Sequence, residues 1–152
     1  MRNVLLAGLL TIAAVSVDAA SLWQASESPF VGSWSADLSQ SKLDPKFPFR
    51  GAELKIAVSG NVVTLASSVT LADGKTIQAT ETLRADGTET AGTLTPGIIH
   101  VANWVGSHVL AYIARKGNQN IGLMTYEVSA DGRTLTARSS GMTEQVVVFK
   151  RL

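Results

Sequence analysis

The sequence predicts an all-β protein: an antiparallel up-and-down barrel of about eight or nine strands, placed after an N-terminal signal peptide. Three observations carry that prediction. First, the tripeptide Ala-Asp-Gly recurs at Ala72-Asp73-Gly74, Ala85-Asp86-Gly87 and Ala130-Asp131-Gly132, with Ser59-Gly60-Asn61 and Gly117-Asn118 as further turns. Tight hairpin turns need positive φ, which Gly, Asn and Asp adopt at least cost, so Asp-Gly between apolar runs marks a hairpin. Second, the residues between these turns alternate apolar and polar with period two, and no segment offers the i, i+3, i+4 spacing of a helix. Third, the turns fall roughly a dozen residues apart, and a sheet of so many short strands avoids exposed edges best by closing on itself.

Taken in order, residues 1–19 read as a secretory signal. Arg2 supplies the positive start, Val4 to Val17 the apolar core, and Val17-Asp18-Ala19 the small-residue site, with cleavage after Ala19 or Ala20. A membrane span needs about 20 apolar residues, whereas this run is broken by Gly8, Thr11 and Ser16 and closed by Asp18. The expected address is periplasmic or extracellular, with no span left after cleavage. Residues 20–29 are expected to be a flexible lead-in and 30–152 the barrel domain, a length that suits one core. The chain has no Cys, which removes disulfides, thiolate nucleophiles and a lipid-attachment cysteine. A net charge of +1 with 16 % charged residues leaves no basic stripe for nucleic acid.

The barrel opens with Phe30-Val31-Gly32-Ser33-Trp34-Ser35-Ala36-Asp37 as a strand. Ser39 to Arg50 contains Pro45 and Pro48, each lacking a ladder donor, and is expected to be a long capping loop that presents Phe47 and Phe49. Ala52, Leu54, Ile56 and Val58 then share one face of a strand; Val63, Leu65, Val69 and Leu71 mark the next, and Ile77, Ala79 and Leu83 the one after. Between Gly87 and Gly97 the pattern loosens, so pairing there should be short or bulged. Strands resume at Ile98 to Val105, Val109 to Arg115, Ile121 to Val128, Thr134 to Ser140 and Glu144 to Lys150.

The Phe30-Val31-Gly32-Ser33-Trp34 start, with Ser39 to Lys42 behind it, resembles the first strand of lipocalin-like proteins. The ending, Asp131-Gly132-Arg133-Thr134-Leu135-Thr136 followed by Val146-Val147-Val148-Phe149, is similar to that of small secreted bacterial lipocalin-like proteins of uncharacterised function. The likeness covers both ends of the mature chain, and the middle agrees in pattern only. It implies that Gly32 and Trp34 sit at the closed end of the barrel, where Arg151 or Lys150 of the last strand packs on the Trp ring by cation–π attraction.

Few residues suggest chemistry. The parity that buries Ile77, Ala79 and Leu83 points Glu81 inward too, where a carboxylate needs a hydrogen-bonding partner or a ligand; a bulge would instead turn it out. His100 and Trp104 share a face of one strand, and His108 follows in the Gly106-Ser107 turn. Two histidines with no third ligand at recognisable spacing do not make a metal site, and none is expected. Tyr112 and Tyr126 suit either a pocket wall or plain strand packing. No nucleophile elbow, phosphate loop, zinc-protease motif or dinucleotide fingerprint occurs, and no cofactor is expected.

The leading expectation is a barrel that holds a small apolar or amphipathic molecule. Glu81, His100, Trp104, Tyr112, Tyr126 and Phe47 would contact it, with walls from Leu54, Ile56, Val63 and Leu65. Two alternatives stay open. One is a small isomerase or hydrolase using Glu81 with His100 or His108 as an acid–base pair, which requires carboxylate and imidazole to converge. The other is an inhibitor or envelope-associated interaction module, which would show an exposed apolar patch in place of a pocket. The sequence leaves the oligomeric state open.

Overall fold

The computed structural model describes residues 27–152, so the signal peptide expected at 1–19 and most of the 20–29 lead-in lie outside the described residues. Ten strands make up the domain: β1 Gly32–Ala36, β2 Phe49–Ser59, β3 Val62–Leu71, β4 Thr76–Arg84, β5 Asp86–Ala91, β6 Ile98–Trp104, β7 Val109–Lys116, β8 Gln119–Val128, β9 Thr134–Gly141 and β10 Gln145–Arg151. All are antiparallel neighbours in one sheet of order β4-β3-β2-β1-β10-β9-β8-β7-β6-β5. The first and last strands therefore pair, with Trp34 opposite Arg151 and Ala36 opposite Phe149, and the sheet curls into a nearly closed barrel. The strand count exceeds the expectation because the Gly- and Thr-rich stretch after Asp86 pairs with β6 as a short strand, bulged between Asp86 and Glu89. The loop after β1 is shorter than expected, since Phe49 and Arg50 already belong to β2.

The turn at Ala85-Asp86-Gly87 behaves differently from its two namesakes. It joins β4 to β5, but these strands splay apart and share no ladder, so the sheet's two edges meet there. Ile77 shows the consequence: its parity is inward, yet it is 53 % exposed because no strand covers that flank of β4. Side chains close the seam in place of a ladder. The Thr93 hydroxyl donates to the Thr80 carbonyl at 2.6 Å, and the Arg84 amide donates to Thr90 Oγ1 at 3.3 Å.

One half of the barrel interior is solid. Phe30, Trp34, Ile56, Val63, Leu83, Leu110 and Leu135 are the largest fully buried side chains and pack with Val128 and Phe149. Trp34 anchors this end. Its indole Nε1 donates to the Phe30 carbonyl at 3.1 Å, and the Arg151 guanidinium lies 4.1 Å from its ring centroid. Arg151 also donates to the carbonyls of Gly132, Val31 and Pro29 at 2.7, 2.7 and 2.6 Å, tying the start of the domain to its end. Gly32 makes room for it: a Cβ there would stand 2.6 Å from the Arg151 Nη1, and the φ of +137° disfavours any side chain.

Candidate functional site

The other half of the interior is hollow. A cavity of about 270 Å³ lies between the walls, its sides formed by Leu54, Leu65, Ile98, Ala114 and Ile121 and its mouth flanked by the exposed Leu94 and Met142. The mouth opens at the end of the barrel opposite Trp34, among the β5–β6 and β9–β10 turns. Ile121 reaches the cavity through a bulge. In the β7–β8 ladder Ala114 pairs with Gly122 and Arg115 with Asn120, so Ile121 is the extra residue and its side chain is re-aimed. Gly141 accommodates this bulge, since a Cβ on it would come 2.6 Å from the Ile121 carbonyl oxygen.

Six polar side chains also line the cavity: Ser67, Glu81, Thr95, His100, Tyr112 and Tyr126. Glu81 keeps the inward parity that its strand predicts and is only 7 % exposed. Its Oε1 lies 3.2 Å from His100 Nδ1 and accepts from the Thr93 amide at 3.3 Å, while the Thr93 hydroxyl, whose one proton is shared with the Thr80 carbonyl, lies 3.0 Å from Oε2. A carboxylate only accepts, so Nδ1 carries the shared hydrogen. The three residues come from β4, the β5–β6 turn and β6, and they straddle the open seam. The His100 ring stacks obliquely on Tyr112 with centroids 5.0 Å apart, and Tyr112 stacks on Tyr126 at 6.4 Å. Burial, with the Glu81 charge second, pushes the Tyr112 hydroxyl up to about 12. Burial likewise holds Tyr126 well above the ordinary tyrosine range, with Tyr112 as the next cause. Both phenols stay neutral at any ordinary pH.

Glu81, His100, Tyr112 and Tyr126 are thus brought together, as are Leu54 and Leu65. The remaining predicted residues lie elsewhere. Trp104 shares the inward face with His100 but sits deeper along the strand, packed on Phe30 at 5.2 Å in the solid half. Ile56 and Val63 are buried in that same half. His108 is exposed in the turn beyond Trp104, 2.8 Å from Ser107 Oγ, at the far end from Glu81. Phe47 is 55 % exposed and lines a separate depression with Phe49, Val69 and Leu71. The Pro45 to Phe49 segment contributes no residue to the cavity wall, and the loop before it is tied to β10: Lys42 pairs with Val146, and Asp44 accepts from the Glu144 amide at 3.3 Å. Sequence reasoning missed Thr93, Leu94, Ile121 and Met142. The first two stand in a turn with no periodicity, Ile121 depends on a bulge, and Met142 on a tertiary approach.

No protein-family model matches the chain, and no curated protein matches it in sequence. Solved structures do. The wild-type fluorescent protein UnaG is 18% identical, with a TM-score of 0.61 over 81% of this chain and 97% of that one. The Schistosoma mansoni fatty acid binding protein, solved with arachidonic acid, is 14% identical, with a TM-score of 0.57 over 84% of this chain and 98% of that one. The zebrafish ileal bile acid-binding protein, solved with cholic acid, is 12% identical, with a TM-score of 0.56 over 82% of this chain and 100% of that one. At such identities the likeness concerns architecture: the chain has the antiparallel, nearly closed ten-stranded barrel of the fatty-acid-binding-protein and lipocalin type.

Proposed function

We propose that this protein is a secreted or periplasmic lipocalin-like barrel that binds one small apolar or amphipathic molecule in the hollow half of its interior. The observation that carries this reading is the cavity itself, about 270 Å³ with apolar walls, a small convergent polar group and a mouth at one end. Ligand sites have this make-up, and the volume falls just under the usual range of ~300–1,000 Å³, which suits a compact or medium-chain ligand. Support for the class comes from the structural neighbours, which include a fatty acid binding protein and a bile acid-binding protein. The secreted address rests on the Arg2, Val4 to Val17 and Ala19 pattern and on the likeness of both chain ends to small secreted bacterial lipocalin-like proteins. The test is native mass spectrometry, with solvent extraction, of protein purified without denaturation. A stoichiometric small molecule that is lost from an Ala114→Phe variant establishes the cavity as its site. A molecule retained by that variant places it elsewhere.

A second reading is favoured by one contact, the Glu81–His100 pair at 3.2 Å, which meets the geometric condition for acid–base catalysis. It predicts that an extracted ligand is chemically altered on incubation with the protein, and that Glu81→Gln abolishes the change while binding persists. An unaltered ligand removes it.

A further inference from the structure

The charge balance of the cavity wall narrows the class of ligand, on the premise that the cavity is the ligand site proposed above. Among the described residues, no Lys or Arg lines the cavity. Two cations of the neighbouring strands are paired outside it: Arg84 with Asp86 at 3.5 Å and Arg115 with Glu89 at 2.9 Å. The fixed charge in the wall is instead the Glu81 carboxylate, and the one group able to oppose it, His100, is already bonded to it. A ligand carboxylate would therefore be buried beside a like charge with no cation in the wall to meet it, an arrangement that low-dielectric surroundings penalise heavily.

The groups left open are dipolar. Nδ1 faces Glu81, so Nε2 is the ring nitrogen left for a ligand, and a hydroxyl, which both donates and accepts, can meet it in either form of the ring. His100 and Tyr126 are each only 9 % exposed, so the polar atoms they turn to the cavity meet whatever fills it, water or a ligand group. An ammonium gives up its hydration for a wall with a single carboxylate, whose charge already meets the Thr93 amide and His100, so much of the cost of burying it goes unrepaid.

We infer that the cavity takes an uncharged molecule: an apolar body bearing a hydroxyl, which as both donor and acceptor can bond His100 Nε2 and a tyrosine hydroxyl of the wall. It discriminates against carboxylates of the same shape. The preferred chemistry thus differs from that of the arachidonic and cholic acids bound by two of the structural neighbours.

The experiment is isothermal titration of the purified protein at neutral pH with three probes of one chain length: decan-1-ol, decanoate and decylammonium. The expected result is that decan-1-ol binds at least about tenfold tighter than either ion, a factor worth about 1.4 kcal/mol. In Glu81→Gln the ratio between the decan-1-ol and decanoate affinities should narrow, because the like charge is gone. Decanoate or decylammonium binding as tightly as the alcohol overturns the inference and leaves the cavity as a site. If none of the three binds, or if all bind equally well to Ala114→Phe, the cavity reading falls and the inference with it. Should Glu81→Gln not fold, the comparison of probes on the unaltered protein still decides.

Discussion

Glu81 Oε1 and His100 Nδ1 stand 3.2 Å apart across a place where the barrel wall has no ladder. Glu81 lies on β4 and His100 on β6, so the pair spans the splayed β4–β5 junction. The contact has two consequences. It joins the two edges of the sheet, with Thr93 as a third member, and it orients an imidazole that lines the cavity. The same polar cluster thus closes the structure and sets the chemistry of the site.

The first prediction concerns that seam. His100→Ala leaves a buried carboxylate short of one donor, and loss of one partner of a buried pair costs about 3 kcal/mol or more. Glu81→Gln keeps an acceptor for Nδ1 and should cost about 1 kcal/mol, the scale of a neutral hydrogen bond. Urea unfolding gives both values. Equal losses would show that the pair is not satisfied as a unit.

Trp34 and Arg151 supply the second. Arg151→Lys removes the planar fork that bonds three carbonyls while it covers the indole, so it should destabilise by about 1–3 kcal/mol despite the retained charge. Gly32→Ala should be at least as damaging, because its Cβ meets Nη1 at 2.6 Å and the φ of +137° is strained for any side chain. In the double variant Gly32→Ala with Arg151→Ala the loss should be smaller than the sum. Strict additivity would argue against the close approach.

The third uses the chain's two tyrosines, Tyr112 and Tyr126. The folded Tyr112 titrates near about 12 against an ordinary value of 10.0, and Tyr126 is also raised well above it by burial. Between these limits the unfolded chain holds fewer protons than the folded one, so stability falls as pH rises. For Tyr112 the stabilisation is complete below pH 10 and is lost progressively towards about pH 12, on the order of 3 kcal/mol. Tyrosinate absorbance should be absent at pH 10 in native protein and at half its full value in unfolded protein. A native titration with a midpoint at 10 would contradict the burial.

Gly141 gives the fourth. Gly141→Ala drives a Cβ to 2.6 Å from the Ile121 carbonyl at a φ of +98°, so the β8 bulge must shift. The expected cost is about 2 kcal/mol, and because Ile121 lines the cavity the variant should also lose affinity for whatever occupies it. Unchanged affinity alongside lost stability would separate the bulge from the site.

The grammar of the wall was legible in the amino-acid order alone. Alternation in Leu54, Ile56 and Val58 and in Val63 and Leu65, cut by Asp-Gly turns, is a local code: a two-residue period marks a half-buried strand, and Asp-Gly a tight turn. Parity alone also turned Glu81 inward. Whatever depends on residues far apart in the chain was not legible there. That the turn at Asp86-Gly87 joins strands that do not pair is a result of the closure of β1 on β10, not of the tripeptide. That Trp104 fills one half of the barrel while His100 lines the other depends on how deep Phe30 reaches, since parity fixes a face but not a depth. That Thr93 meets Glu81, and Ile121 the cavity, depends on a seam and a bulge, where the tertiary fold overrides the period. The site itself belongs to the assembled barrel, because a cavity is the space that side chains from distant strands fail to fill, and no local pattern records that remainder.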